Sequence, residues 1–119
     1  MAIVHLTKEE FAERIIDYKA APDARKYKGN KPAVVDFFAT WCNPCKALSP
    51  IFEELAEQFG DRIDFYKIDV DKEEEVYDAF KIRMIPTLLW LPIGKPYSLE
   101  LGVMGKADLK KKIEENLLK

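Results

Sequence analysis

The two cysteines of this 119-residue chain, Cys42 and Cys45, are separated only by Asn43 and Pro44. They lie where an apolar, strand-like run gives way to a helical pattern of apolar residues. The first turn of a helix presents unpaired backbone N–H groups and the positive end of the helix dipole, which stabilise a thiolate relative to its thiol. The spacing therefore predicts redox chemistry in which Cys42 is an activated nucleophile.

Two neighbouring cysteines also occur as half of a metal site, or as a coincidental pair of buried thiols. A structural zinc ion takes four protein ligands, whereas this chain offers the two cysteines and one remote histidine, His5. A second subunit would have to complete such a site. We therefore expect no metal, since Cys-x-x-Cys after a strand in an α/β pattern is typical of a redox motif.

A carboxylate interrupts the apolar run that precedes the motif. Asp36 lies within residues 33–39, whose nearly continuous apolar character predicts a central strand covered on both faces. Burying a carboxylate is costly unless it is paired or protonated. We expect a raised pKa for Asp36, the alternative being a partly solvated aspartate on the strand.

The composition is that of one globular domain, which we expect to span residues 1–119. Of its residues, 48% are hydrophobic and 34% are charged, and this hydrophobic share is sufficient for a hydrophobic core. Its net charge is -2, and its acidic and basic residues are interleaved, so the basic stripe of a nucleic-acid-binding protein is missing. We expect no nucleic-acid partner.

We also expect no targeting segment in this sequence. Residues 1–8 lack the pattern of a signal peptide, and the apolar region 85–93 is interrupted by prolines and is shorter than the roughly 20 residues that span a bilayer. We expect no membrane partner and a cytoplasmic protein, although a secreted protein whose signal had been removed would look the same. In the cytoplasm a cycling disulfide is more typical than a permanent one.

The elements that position these residues follow from hydrophobic periodicity and capping signals. Thr7 and Glu10 fit a capping box, and residues 71–74 give a second capping signal. The pattern predicts five strands, at residues 3–6, 33–39, 63–70, 87–91 and 97–101. It also predicts four helices. The first runs from Lys8 to before Pro22, the second from the cysteine motif to Gly60, the third from the second capping signal through Phe80, and the fourth over residues 106–118.

This order of elements predicts an α/β fold with a central mixed five-stranded sheet flanked by four helices. The leading strands alternate with helices, which favours parallel pairing among them, and the last two strands should pair antiparallel. The cysteine motif then lies beyond the carboxyl end of a central strand, where open sheets of this kind place their sites.

Over nearly its whole length the chain resembles the thioredoxin family. The matching residues are Asp36, Trp41, Cys42, Pro44, Cys45, Lys46, Pro50, Lys67, Ile85, Pro86, Thr87 and Gly102. The resemblance implies the thioredoxin fold and a protein-disulfide reductase. It also implies that Cys42 attacks a substrate disulfide, that Cys45 resolves the mixed disulfide, and that Asp36 relays a proton to or from Cys45.

Further roles follow from the same resemblance. Lys67 would bias the charge of Asp36, and Pro86 would be a cis proline packed against the cysteines. The backbone of Ile85 would pair with an extended substrate segment. The rest of the docking surface would comprise Trp41, Asn43, Pro44, Gly102 and Val103.

The implied partners are client proteins that contain disulfides and, as electron donor, a thioredoxin reductase, an NADPH-dependent flavoenzyme. No bound cofactor is expected, because the cysteines themselves carry the two electrons.

Three features depart from the family pattern. Asn43 replaces the usual glycine, Phe38 replaces a usual tryptophan, and the segment 18–31 is longer than usual. Two alternative functions remain open at this point. A dedicated disulfide oxidant or isomerase often carries histidine between the cysteines, which this chain lacks. A thioredoxin-like binding module usually has a damaged motif, whereas this motif is intact.

Overall fold

Five strands form one mixed sheet in the computed structural model, which describes residues 3–119. The first two residues of the expected domain 1–119 lie outside this range. The order across the sheet is β1-β3-β2-β4-β5, with β1, β2 and β3 parallel and with β4 and β5 antiparallel to their neighbours. The strands are β1 (Ile3–His5), β2 (Ala33–Phe38), β3 (Asp64–Asp69), β4 (Thr87–Leu91) and β5 (Ser98–Leu101).

Four helices complete the fold, together with one turn of 3-10 helix at Pro22–Ala24. They are α1 (Lys8–Arg14), α2 (Asn43–Phe59), α3 (Glu74–Ala79) and α4 (Lys106–Leu117). The predicted fold class, order and type of the elements are confirmed. The first helix is shorter than the sequence allowed, since it ends at Arg14 well before Pro22.

Strand β2 lies at the centre of the sheet, between β3 and β4, which explains its apolar sequence. Its side chains alternate between two cores, as expected for a strand covered on both faces. Val35 and Phe37 belong to the core that includes Phe11 of α1 and Val76 of α3. Val34 belongs to the other core, which α2 and α4 cover. Asp36 points to the same face as Val34, towards α2.

The two predicted capping signals have different outcomes. The capping box of α1 is confirmed, since Thr7 Oγ1 accepts from the Glu10 amide and Glu10 Oε1 accepts from the Thr7 amide. The cap predicted from the second signal, residues 71–74, is wrong. Helix α3 begins at Glu74, and its N-cap Glu73 makes no capping hydrogen bond with its side chain.

The reason is that more distant donors occupy the carboxylates of the second signal. Glu73 Oε1 accepts from the Lys8 amide at 2.8 Å, at the start of α1. Asp71 Oδ2 accepts from the indole of Trp41 at 2.6 Å. The first contact links the start of α1 to the N-cap residue of α3. The second links Asp71, in the loop between β3 and α3, to Trp41 in the cysteine motif.

Candidate active site

The cysteines occupy the first turn of α2, as the sequence predicts. Cys42 is the N-cap residue, and its Sγ accepts a hydrogen bond from the Cys45 amide at 3.2 Å. The two residues are joined by a disulfide, so the structure holds the oxidised form of the pair. Cys42 is 5% exposed and Cys45 is 3% exposed. The two exposures are similar, so the N-cap contact is what distinguishes the two sulfurs.

The segment before β4 packs directly against the disulfide. The Ile85–Pro86 peptide bond is cis, in agreement with the resemblance. Cys42 Sγ lies 3.8 Å from the Ile85 carbonyl oxygen, and the Pro86 carbonyl oxygen accepts from the Gly102 amide at 2.7 Å. The start of α2 thus contacts the segment before β4, and that segment is hydrogen-bonded to the residue that follows β5.

Large apolar side chains are exposed around this point. Trp41 is 66% exposed, Val103 60% and Met84 64%, and both Asn43 and Pro44 are also exposed. Exposed apolar side chains next to a reactive sulfur can form a docking surface for another protein. Sequence reasoning missed Met84, although its position directly before Ile85 is a usable signal.

The exposed indole of Trp41 has a fixed orientation. Its Nε1 donates to Asp71 Oδ2, which follows β3 in the sequence. Because Asp71 is 30 residues away along the chain, no sequence pattern signals this contact. The ring can therefore expose a large apolar surface while its polar atom remains hydrogen-bonded.

Gly102 has a packing role that the sequence left open. A Cβ atom at this residue would lie 3.0 Å from Leu88 Cγ and 3.4 Å from Leu48 Cδ2. Gly102 is buried, so it adds little surface of its own to the proposed docking surface. Its missing side chain lets the end of β5 approach the core under α2.

Asp36 is fully buried, with 0% exposure. Neither carboxylate oxygen has a hydrogen-bond partner among the residues that the structure describes. Burial raises the pKa of Asp36 from 3.8 to about 7, because the charged form loses its hydration, and the nearby Lys67 ammonium opposes this rise. The expectation of a raised pKa is confirmed, and the alternative of a partly solvated aspartate is wrong.

Lys67 pairs with Asp36 in the β2–β3 register and is only 7% exposed. Its Nζ lies 4.0 Å from Asp36 Oδ2, within reach of electrostatic attraction but beyond a hydrogen bond. The ammonium instead donates to Ser49 Oγ at 2.8 Å and lies 4.8 Å from the centre of the Phe38 ring. Ser49 was not predicted, although it lies one helical turn after Cys45 on the same side of α2.

The longer segment 18–31 lies away from this site. The Arg25 guanidinium anchors it by donating to the carbonyl oxygens of Tyr18, Ala20 and Ala79. A cleft of about 890 Å³ separates the segment from the turn after β4. Because β4 begins beside Cys42 and runs away from it, this cleft lies at the opposite end of the sheet.

Within residues 3–119, no group of three or more histidine, cysteine, aspartate or glutamate side chains is arranged to hold a metal ion. None of the helices in this range combines the length and the apolar character that crossing a membrane requires.

Comparison with known proteins gives a consistent result. A family model described as Thioredoxin matches residues 2–115. The thioredoxin of Borreliella burgdorferi is 45% identical over 94 residues, which cover 78% of this chain and 80% of that protein. The thioredoxin of Mycoplasmoides gallisepticum is 46% identical over 81 residues, covering 68% of this chain and 80% of that protein.

A third relative aligns over almost the full length. The thioredoxin of Buchnera aphidicola subsp. Acyrthosiphon pisum is 30% identical over 115 residues, which cover 97% of this chain and 96% of that protein. The resemblance inferred from the motif residues is confirmed, and with it the thioredoxin fold and protein-disulfide reductase activity. Because the family model covers nearly the whole chain, this chain belongs to the thioredoxin family of thiol–disulfide oxidoreductases.

Proposed function

We propose that the chain reduces disulfides of client proteins through a cycle in which Cys42 attacks and Cys45 resolves. The Cys42 thiolate attacks one sulfur of the client disulfide, which forms a Cys42–client disulfide and releases the first client thiolate. The Cys45 thiolate then attacks Cys42 Sγ and releases the second client thiolate. Two electrons reach the client, and the Cys42–Cys45 disulfide remains.

The hydrogen bond from the Cys45 amide to Cys42 Sγ is the observation that carries this assignment. Cys42 is the N-cap of α2, so its sulfur lies where the backbone N–H groups and the helix dipole favour negative charge. Cys45 lies inside the first turn, from which its sulfur reaches Cys42 to form the disulfide. The first cysteine is thereby suited to attack and the second to resolve.

We propose that Asp36 accepts the proton of the Cys45 thiol in the resolving step. A carboxyl group with a pKa of about 7 exchanges its proton readily near neutral pH, which suits a general base for the Cys45 thiol. Lys67 favours the charged form of that base. In rapid-mixing experiments, Asp36→Asn should slow resolution by Cys45 more than the first attack by Cys42. An equal effect on both steps argues against the proton relay.

We assign client docking to the surface around the disulfide. The backbone of Ile85, which is half-buried and contacts Cys42 Sγ, would pair with an extended client segment. The exposed side chains of Trp41, Asn43, Pro44 and Val103 would contact the rest of the client, and Gly102 would support this surface from below.

A thioredoxin reductase that takes electrons from NADPH through a flavin is the proposed donor that returns the pair to the dithiol. We also propose a cytoplasmic location. Both cysteines of the chain belong to the redox pair, which leaves no permanent disulfide of the kind found in oxidising compartments.

Reduction of insulin disulfides, followed by turbidity with dithiothreitol as electron source, tests the cycle. The native chain should accelerate the reaction, and Cys42→Ser should abolish the acceleration. Equilibration with glutathione then separates a reductase from the alternative oxidant or isomerase. A potential near about -270 mV supports the reductase, and one near about -120 mV supports the oxidant.

A further inference from the structure

The ammonium group of Lys67 hydrogen-bonds a serine in preference to the buried carboxylate beside it. Lys67 Nζ donates to Ser49 Oγ at 2.8 Å, whereas it stays 4.0 Å from Asp36 Oδ2. Both oxygens of Asp36 lack a hydrogen-bond partner in the described part of the chain. Since a buried carboxylate and a buried ammonium attract each other strongly, the longer distance needs a cause.

We propose that Ser49 is a positioning residue that holds the Lys67 ammonium out of hydrogen-bond contact with Asp36 and thereby sets how firmly Asp36 keeps its proton. Ser49 acts through Lys67 and does not touch the sulfur atoms in this assignment. The consequence for catalysis rests on the proposed function: if Asp36 is the base for the Cys45 thiol, Ser49 adjusts the strength of that base.

The restraint on the ammonium comes from α2 and from the end of β2. Ser49 belongs to α2, which packs over the sheet face that carries Asp36, and its hydroxyl is the hydrogen-bond acceptor for Lys67 Nζ. The Phe38 ring lies 4.8 Å from the same nitrogen and adds a cation–π contact. Of the two oxygen atoms that contact this ammonium within residues 3–119, Asp36 Oδ2 is the one left when the hydroxyl is removed.

The other groups around Asp36 do not offer a second route by which Ser49 could act on its carboxyl group. Leu88 of β4, its partner in the register on the other side, is apolar. Further from Asp36 lies His5, which pairs with Lys67 in the β1–β3 register. The charges that act on His5 are those of Lys67, Lys72, Asp69 and Glu53. In the oxidised protein the cysteines do not titrate. Lys67 is therefore the charged group through which Ser49 reaches Asp36.

The test is a titration of the Asp36 carboxyl carbon by NMR in the oxidised protein labelled with ¹³C-aspartate. In Ser49→Ala, movement of the ammonium from 4.0 Å to hydrogen-bond distance should lower the pKa of Asp36 by about one unit at an effective dielectric constant of about 20. Ser49→Thr keeps the hydroxyl and should leave the titration midpoint close to that of the native chain.

A second background shows whether the effect passes through Lys67. In Lys67→Met the ammonium is absent, so adding Ser49→Ala should no longer move the Asp36 titration. The proposal is overturned if Ser49→Ala leaves the midpoint unchanged, or if the same shift persists in the Lys67→Met background. Insulin reduction by the native chain is a separate readout, so loss of the proposed function would be recognised independently of this titration.

Discussion

Replacing Asp36 with asparagine should make the oxidised protein more stable above neutral pH. The native carboxyl group is fully buried and has no hydrogen-bond partner among the described residues, so ionising it in the folded state is costly. Asparagine has nearly the same shape and cannot ionise. The variant therefore removes the cost of a buried charge while it leaves the packing between β2 and α2 in place.

The size of the effect follows from the shifted pKa of Asp36. Burial raises this pKa from 3.8 to about 7, so the folded state binds more protons than the unfolded state between these pH values. Native stability must fall as the pH rises through this window and level off above it. The shift of about three units, at about 1.4 kcal/mol per unit, corresponds to a loss of about 4 kcal/mol.

Urea unfolding of the oxidised protein, followed by far-UV circular dichroism from pH 3.5 to pH 9, measures this difference. The stability gain of Asp36→Asn over the native chain should grow by about 4 kcal/mol between pH 4 and pH 8. Asp61→Asn is the matched control, because Asp61 is an exposed aspartate and should leave the pH dependence unchanged. If the stability gain of Asp36→Asn did not depend on pH, the raised pKa of the buried Asp36 carboxyl would be refuted.

Two further predictions concern the neighbourhood of the disulfide. Gly102→Ala should destabilise the protein by about 1–3 kcal/mol in urea unfolding, because the new Cβ atom crowds Leu88. Gly105→Ala, where nothing lies within 4 Å, should cost less, since it loses only the preference for glycine at the N-cap of α4. Equal losses would contradict the packing role. In the reduced protein at pH 7, iodoacetamide should alkylate Cys42 at least about tenfold faster than Cys45. Peptide mass spectrometry measures both rates, and equal rates would contradict activation by the helix terminus.

Local patterns predicted most of the architecture and the reactive pair. The apolar run around Asp36 predicts a central strand, and the carboxylate within it predicts a raised pKa, because burial follows directly from that pattern. The capping box at Thr7 depends on residues three apart and is equally local. Such features need no knowledge of which strands become neighbours.

Features that depend on strand register or on distant partners could not be predicted in this way. Lys67 faces Ser49 because β2 and β3 pair in one particular register, and a slip by one residue would turn Lys67 to the other face. The carboxylate of Glu73 does not cap α3 because it accepts from Lys8, 65 residues away. A capping motif in sequence does not reveal such a competing donor.

The division of labour between the cysteines is tested most directly by trapping the mixed disulfide. A peptide that contains one disulfide is mixed with reduced Cys45→Ser or Cys42→Ser, and the adducts are located by mass spectrometry. A stable adduct should form on Cys42 in the Cys45→Ser variant, and little adduct should form in Cys42→Ser. An adduct that forms on Cys45 in Cys42→Ser as fast as on Cys42 in Cys45→Ser would contradict the assignment of Cys42 as the attacking residue.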